Sequence, residues 1–163
     1  MQKLLILIFL VLGVLRAEAQ RLFDVQDLIT FFSLRQAEKV DKKIKQYDDW
    51  YYISSEEKAN GDLVDMWMLE REDHEVIGVV LNINHPTETD GSHHQFQLHL
   101  KNGAEYQRVL NQAKGLGFQE VKRTTKAGNV KVFYYQNIRY TLVGQVSERW
   151  KLPYRLMLTH RQD

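Results

Sequence analysis

The chain contains no cysteine among its 163 residues. This absence excludes disulfides, thiolate metal sites, cysteine nucleophiles and a lipidated N-terminal cysteine. A serine nucleophile is not indicated either, because no serine lies in the Gly-x-Ser-x-Gly pattern of a nucleophile elbow. The pair Gly115-x-Gly117 follows a predicted helix instead of preceding one, which marks a helix end and not a dinucleotide-binding turn.

Long hydrophobic runs are also missing. The longest apolar stretch, at residues 4–15, has 12 residues, whereas a membrane-spanning helix needs about 20. Lys3 precedes the stretch and Ala17-Glu18-Ala19 follows it, which is the pattern of a secretory signal peptide over residues 1–19. Cleavage there leaves 144 residues beginning at Gln20. We therefore expect a secreted or periplasmic protein without a transmembrane anchor.

The remaining chain lacks an excess of charge of either sign, with 20 basic and 20 acidic side chains. This balance argues against nucleic-acid binding, which requires a basic excess to displace counterions from phosphates. The charges are nevertheless divided along the chain, since residues 48–75 carry a net −8 and residues 101–163 a net +8. Opposed patches can steer a charged partner. The alternative is that the two segments face each other or are merely solvated.

The region after the leader predicts two helices. The first covers residues 24–32, where apolar side chains recur at helical spacing. Ser33 is the predicted N-cap of the second, with Gln36 as its capping-box partner, and this helix runs to about Tyr47. A third helix contains Tyr106 and Ala113 and ends at the two glycines named above.

From Asp49 onward the sequence pattern has a period of two residues, which predicts strands. Asn60-Gly61 is a strong hairpin signal, and Asn102-Gly103 ends the first group of strands. The predicted strands cover residues 50–53, 63–70, 76–83, 93–100, 118–124, 130–136, 138–146 and 154–159.

Two copies of one unit account for this order of elements. Phe96-x-Leu98-x-Leu100 matches Tyr154-x-Leu156-x-Leu158 at an offset of 58 residues. The predicted fold is α+β: one domain with an antiparallel sheet from two tandem helix-plus-four-strand repeats, about 20–101 and 102–163, with helices on one face. The alternatives are that antiparallel strands of similar length simply resemble each other, and that a lipocalin-like or cystatin-like sheet surrounds fewer helices.

This order of elements resembles the secreted β-lactamase inhibitor proteins. That resemblance implies a curved eight-stranded surface that grips a partner protein, and it extends over most of the chain without a shared motif. The chain departs from those inhibitors because it has no disulfides. It also resembles uncharacterised bacterial envelope proteins with short helix-plus-meander repeats, a likeness that implies no activity.

A histidine-rich segment is the densest group of potentially reactive side chains. His85, Asp90, His93 and His94 are weak candidates for zinc ligands, and a hydrolase using the 85–94 region is one functional alternative. His99 cannot share an ion with His93, because six residues of strand separate them by about 20 Å. We therefore expect no metal and no cofactor. The acidic pairs Glu70/Glu72 and Asp73/Glu75 are the other hydrolytic candidates.

Aromatic side chains in the strands provide the leading functional hypothesis. Tyr51, Trp67, Phe133 and Tyr134 are the candidate binding residues, because Tyr and Trp are enriched where proteins contact each other. The same residues are also ordinary for a half-exposed sheet face. We expect a non-enzymatic module that binds an envelope or extracellular protein. Binding of a small apolar or glycan ligand in a groove is the alternative.

Overall fold

The protein is described by a computed structural model over residues 22–47, 49–71, 73–85 and 94–162. The predicted leader lies outside these residues. The described residues form three α-helices, one 3-10 turn and one sheet of eight strands, so the predicted α+β class is confirmed. The helices are α1 (Val25–Leu34), α2 (Ala37–Ile44) and α3 (Gly103–Gly115), and Ala127–Asn129 forms the 3-10 turn. The strands are β1 (Trp50–Glu57), β2 (Leu63–Glu70), β3 (Val76–Asn84), β4 (Gln95–Leu100), β5 (Gln119–Lys126), β6 (Val130–Gln136), β7 (Tyr140–Val146) and β8 (Tyr154–His160).

Helix α1 begins at a reciprocal capping box. The Asp24 carboxylate accepts a hydrogen bond from the backbone N–H of Asp27 at 2.9 Å, and the Asp27 carboxylate accepts one from the backbone N–H of Asp24 at 3.0 Å. Two of the N–H groups that a helix start leaves unpaired are thereby satisfied.

The prediction that Ser33 caps the second helix is wrong. Ser33 lies inside α1, where its hydroxyl donates a hydrogen bond to the carbonyl of Ile29. The buried stripe of α1 continues through Phe32, so the helix does not end until Arg35 adopts a φ of 56°. Helix α2 then starts without a side-chain cap and ends at Ile44, before the predicted end.

The sheet has the strand order β1-β2-β3-β4-β8-β7-β6-β5, and every neighbouring pair is antiparallel. Strands β1–β4 form one meander and β5–β8 form another. The last strands of the two meanders pair in the middle of the sheet, with Leu98 opposite Leu156. This order differs from the lipocalin-like or cystatin-like alternative. The equivalence of the two units as sequence repeats stays a prediction.

The two edge strands carry similar irregularities. The register shifts between Tyr52 and Ser54 in β1 and between Glu120 and Lys122 in β5. Bulges of this kind twist an edge and discourage further strand pairing.

All three helices pack on one face of the sheet. The Phe31 ring of α1 lies 5.4 Å from the Phe96 ring of β4, measured between centroids. In α2, the Asp41 carboxylate accepts a hydrogen bond of 3.0 Å from the Trp67 indole of β2. The core beneath the helices includes Phe23, Phe31, Phe32, Trp67, Leu69, Val80, Phe96, Leu98, Leu100, Leu142, Leu156 and Leu158, all at most 1% exposed.

Helix α3 approaches the same face through a glycine. A Cβ atom at Gly144 of β7 would overlap the hydroxyl of Tyr106 on α3. The missing side chain therefore permits close contact between helix and strand. The Tyr106 hydroxyl is buried without a hydrogen-bond partner.

Candidate functional site

The second face of the sheet is the candidate site, and we call it the open face because all the described helices pack on the other one. Strand register places its side chains in two adjacent rows that cross the sheet. One row contains Met66, Leu81, Gln97, Met157, Val143 and Tyr134. The other contains Tyr51, Met68, Val79, His99, Arg155, Gln145 and Val132.

These rows have apolar ends and a polar centre. On the β2 and β3 side, the face carries methionine, valine and leucine, and on the β6 and β7 side it carries valine and tyrosine. The polar centre consists of Gln97, His99, Gln145 and Arg155, on the strands where the two meanders meet. The side chains of the β2 and β3 end keep part of their surface exposed, whereas Val132 and Val143 at the other end are buried. A partly exposed apolar surface with a few polar groups is typical of a binding surface.

A short hydrogen-bonded chain fixes the amide side of the polar centre. The His99 Nε2 atom lies 3.0 Å from the Gln97 side-chain oxygen, and the Gln97 amide donates to the Gln95 side-chain oxygen at 3.2 Å. Burial, together with the nearby Arg155 charge, lowers the pKa of His99 from 6.5 to about 4. His99 is therefore uncharged at neutral pH.

Arg155 is held by a tryptophan and not by an acid. Its guanidinium carbon lies 3.7 Å from the ring centroid of Trp150, in the loop between β7 and β8. Its Nε atom is buried without a hydrogen-bond partner, and burial lowers the pKa of the guanidinium. Among the described residues, no carboxylate lies within ion-pair distance of Arg155.

The four aromatic residues predicted to form a binding surface divide between the two faces. Tyr51 and Tyr134 belong to the open face, and Tyr51 is 39% exposed. Trp67 and Phe133 belong to the helix-bearing face, and Trp67 is fully buried beneath α2. Phe133 lies under the guanidinium of Arg123, 4.9 Å from it. The structure therefore does not bring the four rings together on one surface.

The histidine segment is only partly described, since Asp90 and His93 lie outside the described residues. The His85 ring lies next to Gly61 in the turn between β1 and β2. His94 instead packs beneath α1, where its ring stacks on Phe32 with centroids 4.3 Å apart. Within the described part of the chain, no three histidine or acidic side chains are grouped so that they could hold a metal ion.

His94 belongs to a buried polar network. Its Nε2 atom lies 2.9 Å from the Asn82 side-chain oxygen. The Asn82 amide in turn donates to the Asp65 carboxylate at 3.2 Å and to the Arg35 carbonyl at 3.0 Å. These contacts connect β3 and the start of β4 to the turn after α1, so His94 has a structural role.

Of the acidic pairs considered for hydrolysis, Asp73 and Glu75 are engaged with basic side chains. Glu72 lies outside the described residues. Glu75 forms ion pairs with Arg71, at 2.8 Å, and with Lys101. Asp73 pairs with Arg71 at 3.0 Å. Carboxylates neutralised in this way hold surface loops together.

Two cavities lie away from the polar centre. One, of about 590 Å³, is lined by Leu22, Ile77, Asn102 and the charged group around Glu75 just described. The other, of about 370 Å³, lies where the 3-10 turn meets the loop after β7, and its lining includes Lys131, Glu148 and Arg149. Both have volumes typical of small-ligand sites, but their linings are rich in charged side chains instead of apolar ones.

The divided charge of the sequence maps onto opposite ends of the sheet. The acidic segment, residues 48–75, forms β1 and β2 at one end. The basic segment, residues 101–163, forms α3 and β5–β8, which include the other end and one of the two middle strands. Among the described ion pairs, the one between Glu75 and Lys101 is the only one that joins the two segments.

In comparisons with known proteins, no family model, no curated protein and no solved structure matches the chain. Among the described residues, no helix is long and apolar enough to cross a membrane.

Proposed function

We propose that the protein is a secreted or periplasmic binding module, without catalytic activity, that contacts another envelope or extracellular protein through the open face. The observation that carries this proposal is the pair of side-chain rows on the face opposite the helices. Apolar side chains in neighbouring strands form both ends of these rows, and those of β2 and β3 are partly exposed. A partner that covered them would remove apolar surface from water.

The composition of the open face suits a protein partner better than a small ligand. Methionine side chains such as Met66 and Met68 adapt their shape to a contacting surface, and the glutamines at the centre offer both donors and acceptors. The described cavities, in contrast, are lined by other residues, and these include several charged side chains.

Site-specific photo-crosslinking tests the proposal in the native cell envelope. A photoreactive amino acid placed at Leu81 or Gln97 on the open face is expected to cross-link one defined partner. The matched control places it at Gln107, an exposed residue of α3 on the helix-bearing side. Equal cross-linking from the control position, or none from the open face, would contradict the proposed surface.

A further inference from the structure

Building on the proposed binding face, we propose that Arg155 and Trp150 form the seat for a carboxylate carried by an acidic segment of the partner protein. The seat lies in the polar centre, where β8 pairs with β4 on one side and β7 on the other. Such a contact would give the apolar surface a fixed orientation on its partner.

The guanidinium of Arg155 combines an aromatic contact with a buried Nε atom that has no hydrogen-bond partner. Some arginines of the described residues have acidic partners, as Arg108 has Glu105 at 2.7 Å and Arg123 has Glu120 at 3.0 Å. Arg155 is half-buried, yet its only described partner is an aromatic ring. A partly desolvated cation without a counter-ion is costly, and an arriving carboxylate would offset that cost.

The stacking geometry leaves donors available. An aromatic ring occupies the flat face of a guanidinium, while the N–H groups point outward in its plane. Those in-plane donors match the two oxygens of a carboxylate. Trp150 therefore holds the plane of the group, and since the Nε atom is buried, the terminal Nη groups are the donors left to a ligand.

The neighbours of Arg155 supply no negative charge. His99 and Gln145 lie opposite it on the flanking strands, and both are uncharged at neutral pH. The segment that contains Arg155 carries a net +8, which would attract an acidic partner over a longer range. One isolated arginine among amides fits a single carboxylate better than the repeated phosphates of a nucleic acid.

A titration followed by NMR tests the seat directly. The probe is the acetylated and amidated peptide of four glutamates, and the matched control is the same peptide with four glutamines. The glutamate peptide is expected to shift the Arg155 Nε–H and Trp150 indole N–H resonances of the wild-type protein saturably, and the glutamine peptide is not. No shift at these two resonances would overturn the proposal.

Variants separate a seat from a general charge effect. Arg155→Met is expected to weaken peptide binding about tenfold or more, as loss of a charge-assisted hydrogen bond predicts. Arg139→Met removes the same charge from an exposed position of the same segment and is expected to change binding little. Equal weakening by both variants would overturn the seat. Trp150→Leu provides a second test should Arg155→Met fail to fold.

Two further outcomes distinguish this inference from the proposed function. In the first, sodium acetate is added at the same carboxylate concentration as the peptide. If acetate shifts the same resonances as strongly, the site binds free carboxylates, and the proposal of an acidic segment as ligand is overturned. Undiminished cross-linking of the partner from Leu81 in Arg155→Met would overturn the seat while leaving the open face as the binding surface.

Discussion

Acidification is expected to destabilise this fold through His94, a buried residue. The side chain is 3% exposed and stacks on Phe32. Burial, together with the charges of Arg35 and His160, lowers the pKa of His94 from 6.5 to about 4. The native protein therefore keeps this imidazole neutral at a pH where the unfolded chain protonates it.

The sign and size of the effect follow from these two pKa values. Between pH 6.5 and about 4 the unfolded state binds a proton that the native state does not, so stability falls as the pH is lowered through this window. Below about pH 4 both states are protonated and this contribution levels off. The interval from 6.5 to about 4, at about 1.4 kcal/mol per pH unit, corresponds to a loss of about 3 kcal/mol.

His99 requires a separate variant because burial lowers its pKa to about 4 as well. Urea unfolding from about pH 7 to about pH 4.5 would compare the wild type with His94→Gln and His99→Gln. Glutamine at position 94 retains an amide donor for the Asn82 oxygen and removes the titration. Each variant is expected to lose less stability on acidification than the wild type.

Two results would refute this reasoning. One is a wild-type profile whose slope is unchanged in His94→Gln. The other is an NMR titration in which the His94 ring of the native protein protonates near pH 6.5, the ordinary value.

Three sets of substitutions test the packing and the capping of the helices, each by urea unfolding. Gly144→Ala is expected to cost about 1–3 kcal/mol, because its Cβ would overlap the Tyr106 hydroxyl, and Tyr106→Phe in the same chain should recover much of that loss; additive effects would contradict the overlap. Trp67→Phe should cost about 1–3 kcal/mol, since it removes the indole donor to a carboxylate of α2; an unchanged midpoint would argue against that bond. Asp24→Ala should cost about 1 kcal/mol and Ser33→Ala much less, because the capping box lies at the first position; the reverse order would restore the predicted cap.

Local patterns predicted seven of the eight described strands to within two residues at either end, because alternation and turn chemistry act over few residues. The first strand was predicted to end at residue 53 but extends to Glu57. Strands β2 and β6 occupy residues 63–70 and 130–136, as predicted. The start of α2 was not predicted, because the sequence offers Ser33 as a plausible cap, while the apolar stripe of α1 carries the helix past it. Packing of that stripe outweighs the preference of one side chain.

The candidate site was harder to predict than the fold. Alternation assigns Trp67 and its neighbours Met66 and Met68 to opposite faces of β2, and both faces are largely apolar. The choice of covered face depends on contacts between distant residues, such as the hydrogen bond from Trp67 to Asp41. For that reason a prediction from aromatic content alone placed Trp67 and Phe133 on the same surface as Tyr51 and Tyr134, whereas the structure places the two pairs on opposite faces.

Arg155 was not singled out in the sequence because a lone arginine in a basic segment is ordinarily solvated. The sequence nevertheless contains a pattern that indicates the face on which Arg155 lies. The run from Tyr154 to His160 alternates buried leucines with the positions of Arg155 and Met157, which places the arginine on the opposite face of a central strand. Its neighbours there come from β4 and β7, which no local pattern could identify.

The pairing of β4 with β8 connects the fold to the proposed function. His99 comes from the first meander, and Arg155 comes from the second, so the polar centre exists only where the two units join. The apolar ends of the open face likewise come from different units, β2 and β3 on one side and β6 and β7 on the other. A partner that covers both ends must therefore cross this junction. Arg155 lies at the junction, where a bound carboxylate would fix the position of the partner along the open face.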